Sequence, residues 1–505
     1  MSNTNLITNP HASRPSSQSD DEDDVNVSQP SGSDMKSKID EKSKEKPTSS
    51  KLPEGSVKCS EKSNYSIAKE SNESMLNDLQ DVTWSWKFLR DVPSHMSPAC
   101  QDVSTISRTA SCSRNESVSS RYSDDTDSSM PADFMNVLRI VKKSDVYSFI
   151  KECLKAVHVN ENYAELISEV FVHDDCRNKY TTALIYSDMY VQHTIGKICE
   201  PNAEPEIVRE FGSTAFVNGS KGLGPVVGKF CMELAIQKAK LLGVGIVVAN
   251  NSNFIGDPSW YSKLAISEGM LGFTFSNSPP QLCPTRSKDV ALGANRFCVA
   301  APGESESLLF SMSNLGLSLG QLLLCLHNRE VINLPENCAI DSAGHVIKDP
   351  EKAFHTRLML PLGGVEQTGG YKGYGLSLMV DTLCGILGDS SYGPHIKRTD
   401  GEFCGISKNL AQCFIAIDPS CFSGGFEGRM SQLINIMKSL TPVDESEPVL
   451  VPDDKEKAND SLVQERDELV YNHININAAY LLSKTFHLQH IISFSKNFPE
   501  SLCNL

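Results

Sequence analysis

The first roughly 130 residues contain no apolar periodicity on which a core could be built. They hold 31 Ser, open with the acidic run Asp20-Asp21-Glu22-Asp23-Asp24, and continue in Lys/Glu/Ser mixtures. Such a segment cannot bury enough apolar surface to offset the entropy of ordering it. The chain is therefore expected to divide into a disordered acidic arm (1–131), one body (132–495) and a short C-terminal tail (496–505). A body of this length is long enough for one large core.

Two stretches interrupt the arm. Asp81 to Val92 carries Trp84, Trp86, Phe88 and Leu89 between polar flanks. It reads either as a stray local cluster or as a linear motif that docks on a protein partner or on the body. Further on, Ser111 has Arg108 three residues before it, and Ser123 is followed by Asp124-Asp125. Both match kinase substrate patterns, which Ser-rich tails also produce by chance.

Charge is spread along the chain. The arm carries 15 Lys/Arg against 21 Asp/Glu, about −6 of the total −16. No basic stripe stands out, so neither a nucleic acid nor an anionic membrane is an expected partner. The longest apolar stretch, near Leu376 to Leu387, is broken by Asp381 and is too short to span a bilayer. The 16 Cys are scattered, without a CxxC pair or a His/Cys cluster at zinc spacing. They read as reduced thiols used as small hydrophobes, in a cytoplasmic protein with no expected metal site.

In the body, apolar spacing predicts alternating helices and strands. Ser144-Asp145 is placed to cap a helix reaching about Val157, and a second helix follows near Glu161 to Phe171. Pro205 to Val217 reads as a strand ending in a turn at Asn218-Gly219, Pro225 to Leu242 as a helix, and Val244 to Ala249 as a buried strand with a polar loop, Asn250 to Asn253, after it. Trp260 to Glu268 reads as a helix, Met270 to Phe275 as a strand, and helices are expected from Gly375 and over about Glu427 to Ser439. Crossovers beside hairpin signals predict an α/β fold with a mixed, largely antiparallel sheet.

Two glycine runs stand out. Gly222-Leu223-Gly224-Pro225-Val226-Val227-Gly228 approaches the dinucleotide fingerprint, but its spacing is GxGxxxG and no strand ends immediately before it. It reads as a helix-start turn or, less strongly, as a ligand loop. Gly369-Gly370-Tyr371-Lys372-Gly373-Tyr374-Gly375 places a Lys where a helix begins, which suits a phosphate or carboxylate. The alternative is a Gly-rich turn with a solvated Lys. Asn250 to Asn253 and Asn277 to Pro280 lie at expected strand ends, where α/β sites form, although Asn also fills turns for local reasons.

Taken in order, five segments resemble the malate/L-lactate dehydrogenase family of non-Rossmann type. They are PNAEPEIVREFGSTAFVNGSKGLG (Pro201 to Gly224), GMLGFTFSNSPP (Gly269 to Pro280), PTRSKDVALGAN (Pro284 to Asn295), LPLGGVEQTGGYKGYGL (Leu360 to Leu376) and NLAQCFIAIDP (Asn409 to Pro419). The arm lies outside the resemblance. The resemblance implies NAD(P)-dependent hydride transfer between a small 2-hydroxy acid and its 2-oxo form, a homodimer, and a dinucleotide-binding fold that is not Rossmann. It implies cofactor contacts at Phe310, Ser311, Met312, Ser313, Asn314, Lys372, Gly373, Pro452, Asp453 and Asp454. Substrate contacts are implied at Thr181, Asn253, Phe254 and Asn295, and catalytic positions at Thr182 and Tyr186.

Several of these positions depart from the family. Anchored on Asp175-Cys176-Arg177 and Asp188-Met189-Tyr190, Thr182 stands where the family carries its catalytic His and Tyr186 where it carries a carboxylate-binding Arg. Phe254 stands at a second His, Ser311 at an Asp, and Ala294-Asn295-Arg296 replaces Thr-Asn-Pro. A carbonyl reduction needs a proton donor with a pKa near the working pH, which His supplies and a Thr hydroxyl does not. The phenol of Tyr186 is a weak substitute with an unperturbed pKa near ~10, and His173 and His193 are the nearest imidazoles in sequence. Two functions follow as alternatives: a dehydrogenase with weakened chemistry, or an inactive dimeric scaffold or NAD(P)-binding sensor whose arm is phosphorylated and binds partners.

Overall fold

The computed structural model describes residues 138–179, 183–327, 333–396, 409–488 and 496–497. Thr181, Thr182, Trp84, Trp86, Phe88, Ser111 and Ser123 lie outside the described residues.

The body starts with β1 (Arg139–Lys142), α1 (Lys143–Ala156), α2 (Glu161–Cys176) and α3 (Ala183–Ile195). A hairpin of β2 (Glu206–Phe211) and β3 (Thr214–Asn218) leads into α4 (Gly224–Leu242), β4 (Val244–Ser252), α5 (Ser259–Ile266) and β5 (Leu271–Ser276). Then come β6 (Pro280–Leu282), β7 (Leu292–Gly293), β8 (Phe297–Ala301), β9 (Leu308–Met312), α6 (Leu319–His327), β10 (Ala339–Ile340), β11 (Val346–Ile347), α7 (Pro350–Thr356) and α8 (Gly370–Asp381). The last elements are β12 (Leu410–Ile417), α9 (Phe426–Lys438), α10 (Asp454–Arg466), β13 (Glu468–Tyr471), α11 (His473–Thr485) and β14 (Lys496–Asn497).

Seven strands form the main sheet in the order β2-β3-β4-β12-β5-β8-β9. Only β3 and β4 pair in parallel, across the α4 crossover, and the other pairs are antiparallel. The mixed, largely antiparallel α/β fold expected from the sequence is what forms. Alternate residues of β4 serve opposite faces. Val247 and Ala249 pack with Val227, Cys231 and Ala235 of α4. Val248 packs with Phe275, Phe297 and Cys413 against Val380 of α8 and Cys384. A sheet covered on both faces explains why β4 reads as a continuous apolar run.

Three local readings are corrected. The N-cap of α1 is Lys142 in extended conformation, with no side-chain cap, and Ser144 and Asp145 lie in the first turn. Ser144 instead donates its hydroxyl to Asp467 Oδ2 at 3.0 Å. The single strand expected from Pro205 is the hairpin β2–β3, turned at Gly212 with φ of 51°. Asn250 to Ser252 continue β4 instead of forming a loop, because Asn250 pairs with Asn218 and Ser252 with Leu410. Among the described residues no helix is long and apolar enough to cross a membrane.

Candidate active site

The carboxyl ends of β4 and β5 and the start of β8 converge under α3. Their residues enclose a small cavity of about 60 Å³, lined by Tyr186, Phe254, Ser276, Ser278, Arg296 and the first turn of α6 at Leu319-Gly320, among others. Tyr186 and Phe254 stack with ring centroids 4.4 Å apart. Behind the stack, the hydroxyl of Tyr190 donates to the carbonyl of Phe254. Arg296 is the one formal charge among the described residues that line the cavity.

Two buried asparagines shape this pocket instead of facing a ligand. Asn253 is 3% exposed, its carbonyl accepts from Gln412 Nε2 at 2.9 Å, and its Oδ1 accepts from the amide of Phe254 at 2.8 Å. Asn295 takes a left-handed φ of 42°. Its Oδ1 accepts from the Ser278 amide at 3.0 Å, and its Nδ2 donates to the Ser377 carbonyl at 3.0 Å. A fully buried side chain with its polar atoms so occupied is scaffold.

The first glycine run serves packing. A Cβ on Gly224 would sit 2.0 Å from the carbonyl oxygen of Phe254, and one on Gly228 would sit 2.6 Å from the Tyr261 ring. Their hydrogens let α4 approach the Phe254 loop and α5, and none of Gly222, Gly224 and Gly228 lines the small cavity. This is the helix-start reading of GxGxxxG.

A larger cavity, about 400 Å³, is lined by Arg177, Lys179, Phe310, Ser311, Pro452 and Asp453, among others. Four residues expected at the cofactor thus meet here. Met312, Ser313, Asn314, Asp454, Lys372 and Gly373 line neither cavity. Asn314 is buried and donates to the Asn295 carbonyl at 2.7 Å. Asp454 accepts from the amide of Val451 and pairs with Lys438 at 3.0 Å. Lys372 is exposed on the first turn of α8 with its ammonium 5.9 Å from the Tyr371 ring centroid. The glycines of that run bring backbones together: a Cβ on Gly370 would lie 1.8 Å from the Gly364 carbonyl, and one on Gly373 2.5 Å from the Leu362 amide nitrogen.

Arg177 is 1% exposed and pairs through one terminal nitrogen with the Asp453 carboxylate. Its Nε and Nη1 have no hydrogen-bond partner. Asp453 itself holds a left-handed φ of 86° at the turn before α10. A buried guanidinium with two open donors beside a cavity is a ready seat for ligand oxygens.

Asp257 lines neither cavity but contacts Lys179 and Ser311 of the larger one's lining and follows Gly256 of the smaller one's. Its Oδ2 accepts from Lys179 Nζ at 2.6 Å, and its Oδ1 accepts from the hydroxyl of Ser311 and the amide of Ser259, each at 2.9 Å. Burial alone would raise its pKa, but Lys179, Arg296 and these hydrogen bonds outweigh it and hold the carboxyl well below the usual range. Ser311 thus donates to a carboxylate supplied from position 257. The amide of Asp257 donates to Asp174 Oδ2 at 2.9 Å, and burial pushes the Asp174 carboxyl up.

Neither candidate imidazole lines either of these two cavities. His193 is 2% exposed within the body. His173 lies between Asp174, 3.3 Å from Nδ1, and Lys263, 3.0 Å from Nε2, and burial lowers its pKa. Ten cysteines of the described residues are free, and nine of these are buried. Burial pushes the Cys199, Cys298 and Cys413 thiols up to about 12, which makes them inert. Among the described residues no group of three or more His, Cys, Asp or Glu is arranged to hold a metal ion.

The sequence reading missed Arg177, Lys179 and Asp257 as site residues. The only signal was Arg177 itself, within the anchor Asp175-Cys176-Arg177, and nothing local tied it to Asp453.

The profile of the malate/L-lactate dehydrogenase family matches residues 141–470. A malate dehydrogenase of Pyrococcus abyssi is 34% identical over 307 residues, 60% of this chain and 83% of its own length. An L-sulfolactate dehydrogenase of Methanocaldococcus jannaschii is 34% identical over 326 residues, 63% of this chain and 90% of its own. The solved malate dehydrogenase of Pyrococcus horikoshii superposes with a TM-score of 0.63 at 30% identity, covering 69% of this chain and 96% of that one. With these matches the chain belongs to the malate/L-lactate dehydrogenase family.

Proposed function

We propose that the body holds a nicotinamide dinucleotide, NAD or NADP, in the larger cavity and a small 2-oxo or 2-hydroxy acid under Tyr186 and Phe254, with hydride transfer between them strongly slowed. The observation that carries this is Asp257, a carboxylate contacted by Lys179 and Ser311 of the larger cavity's lining and held down also by the charge of Arg296 from the smaller one's. The residues present fit a dinucleotide. Arg177 offers two buried N–H donors with no partner, Lys179 adds a positive charge, and Phe310 and Pro452 supply apolar wall. Such donors suit phosphate and ribose oxygens. When bound, the nicotinamide ring supplies or accepts the hydride.

The slowing follows from the proton. Reduction of a 2-oxo acid requires protonation of the new alkoxide, and the small cavity's described lining contains no imidazole, ammonium or carboxyl group. Position 182 contributes only a hydroxyl. Loss of a general acid typically costs roughly 10²–10⁴-fold.

A second reading is a silent member that binds both ligands without turnover and acts as a sensor or homodimeric scaffold, with a partner-binding, phosphorylated arm. The Tyr186–Phe254 stack favours it, since two substituted positions have packed against each other. Titration of the purified chain with NADH and NADPH, followed by nicotinamide fluorescence and then by a panel of 2-oxo acids, separates the readings. Slow oxidation of the cofactor by one acid supports the first and eliminates the second. Absence of any cofactor binding eliminates the first.

A further inference from the structure

We infer that Arg296 is the carboxylate anchor of the small pocket, taking over a task that position 186, now Tyr, does not perform. This deepens the proposed function and rests on it for the class of ligand.

The backbone of Arg296 is set from both sides. Asn295 before it is fully buried and tied to Ser278 and Ser377. The Arg296 carbonyl accepts from the Ser276 amide at 3.0 Å, and Phe297 after it opens β8. The guanidinium is therefore delivered to the pocket from a rigid strand start, a better base for positioning than a loop. In the family pattern this place is a Pro, which has no side chain to offer a ligand.

The charge there has no carboxylate beside it in the pocket. Among the described residues no Asp or Glu lines the pocket with Arg296, and Asp257, whose carboxyl its charge helps hold down, lies outside the lining. Asp257, the nearby carboxylate, is already claimed by Lys179 at 2.6 Å and by two further donors. Ser318 and the first turn of α6, at Leu319-Gly320, line the same pocket and turn the positive end of a helix toward it. A half-buried guanidinium facing polar Ser276 and Ser278, with the Tyr186 and Phe254 rings as apolar wall, matches a carboxylate on a short carbon chain. The free volume of about 60 Å³ selects short acids.

Calorimetry on the full chain tests this with pyruvate as probe and pyruvamide as its uncharged counterpart. NAD⁺ is present, because it cannot reduce a 2-oxo acid, and NADH fluorescence is titrated separately. Wild type should bind pyruvate at least about ten-fold more tightly than pyruvamide, as a charge-assisted bidentate pair requires. Arg296→Gln should lose that preference and Arg296→Lys should keep only part of it, both with unchanged NADH affinity. Arg296→Gln that folds, binds NADH and binds pyruvate like wild type overturns the inference. So does wild type that binds both probes equally or neither, a result that needs no variant to fold. Loss of NADH binding in wild type overturns the cofactor reading instead, and pyruvate discrimination by Arg296 would then stand alone.

Discussion

The rings of Tyr186 and Phe254 lie parallel, 4.4 Å between centroids and 11° between planes. Offset stacking of this kind is worth about 0.5–1.5 kcal/mol beyond area burial. The two substitutions therefore stabilise one another, and reverting either singly leaves a polar group against an aromatic face.

The chemistry should return only when the set is restored together. Thr182→His with Phe254→His and Tyr186→Arg is expected to raise the rate of NADH oxidation by pyruvate by roughly 10²-fold or more. Phe254→His alone should leave it near the starting level. Stopped assays at 340 nm measure both. A folded triple variant that binds both ligands and shows no gain would mean that the backbone, and not the side chains, has lost the reacting geometry.

Lys179 should be needed for stability. Its ammonium lies 2.6 Å from the buried carboxylate of Asp257. Lys179→Met leaves that charge without its nearest cation, and breaking a buried pair typically costs about 3–5 kcal/mol. The lower end is expected, because Lys179 is partly solvated. Urea unfolding of Lys179→Met, with Lys179→Met/Asp257→Asn as partial rescue, checks it. Equal stability of wild type and the single variant would refute the linked role of this pair.

The contribution of Lys263 to stability should rise with pH above about 8. Burial lowers the Lys263 pKa from 10.5 to about 8. Between those values the folded chain has released the proton and the unfolded chain still binds it. This group's contribution to stability therefore grows with pH across the window, and below it the buried ammonium is a standing cost. It opposes the buried thiols, whose raised pKa makes stability fall as pH climbs past the unfolded thiol value. Lys263→Met should therefore make the slope more negative, measured as the urea midpoint at pH 7.5, 8.5 and 9.5. An unchanged slope in the variant would assign the effect to other groups.

Gly224→Ala should disturb the site from outside it. The added Cβ would lie 2.0 Å from the Phe254 carbonyl oxygen and 2.6 Å from that of Asn253. Overpacking typically costs about 1–3 kcal/mol, and here the contact is backbone that cannot rotate away. Pyruvate binding should weaken along with thermal stability. A variant that binds pyruvate like wild type would show that the Phe254 loop tolerates displacement.

Local chemistry made much of the fold legible from the residues alone. The helix from Pro225, the strands at Val244 and Met270, and the family segments from Pro201 to Pro419 depend on periodicity, turn glycines and strand-end Asn, all of which act over a few residues. The departures at positions 182, 186, 254 and 311 were legible for the same reason. What only the tertiary structure decided is which distant residues meet. It paired Arg177 with Asp453, joined Asp257 to Lys179 and Ser311, and turned Arg296 into the pocket facing Tyr186. It also showed Asn253 and Asn295 to be scaffold, and Gly224 and Gly370 to be contacts between backbones. A polar or glycine residue looks the same in sequence whether it faces a ligand or a neighbouring strand. Burial and hydrogen-bond partners separate the two, and those come from contacts far apart in the chain.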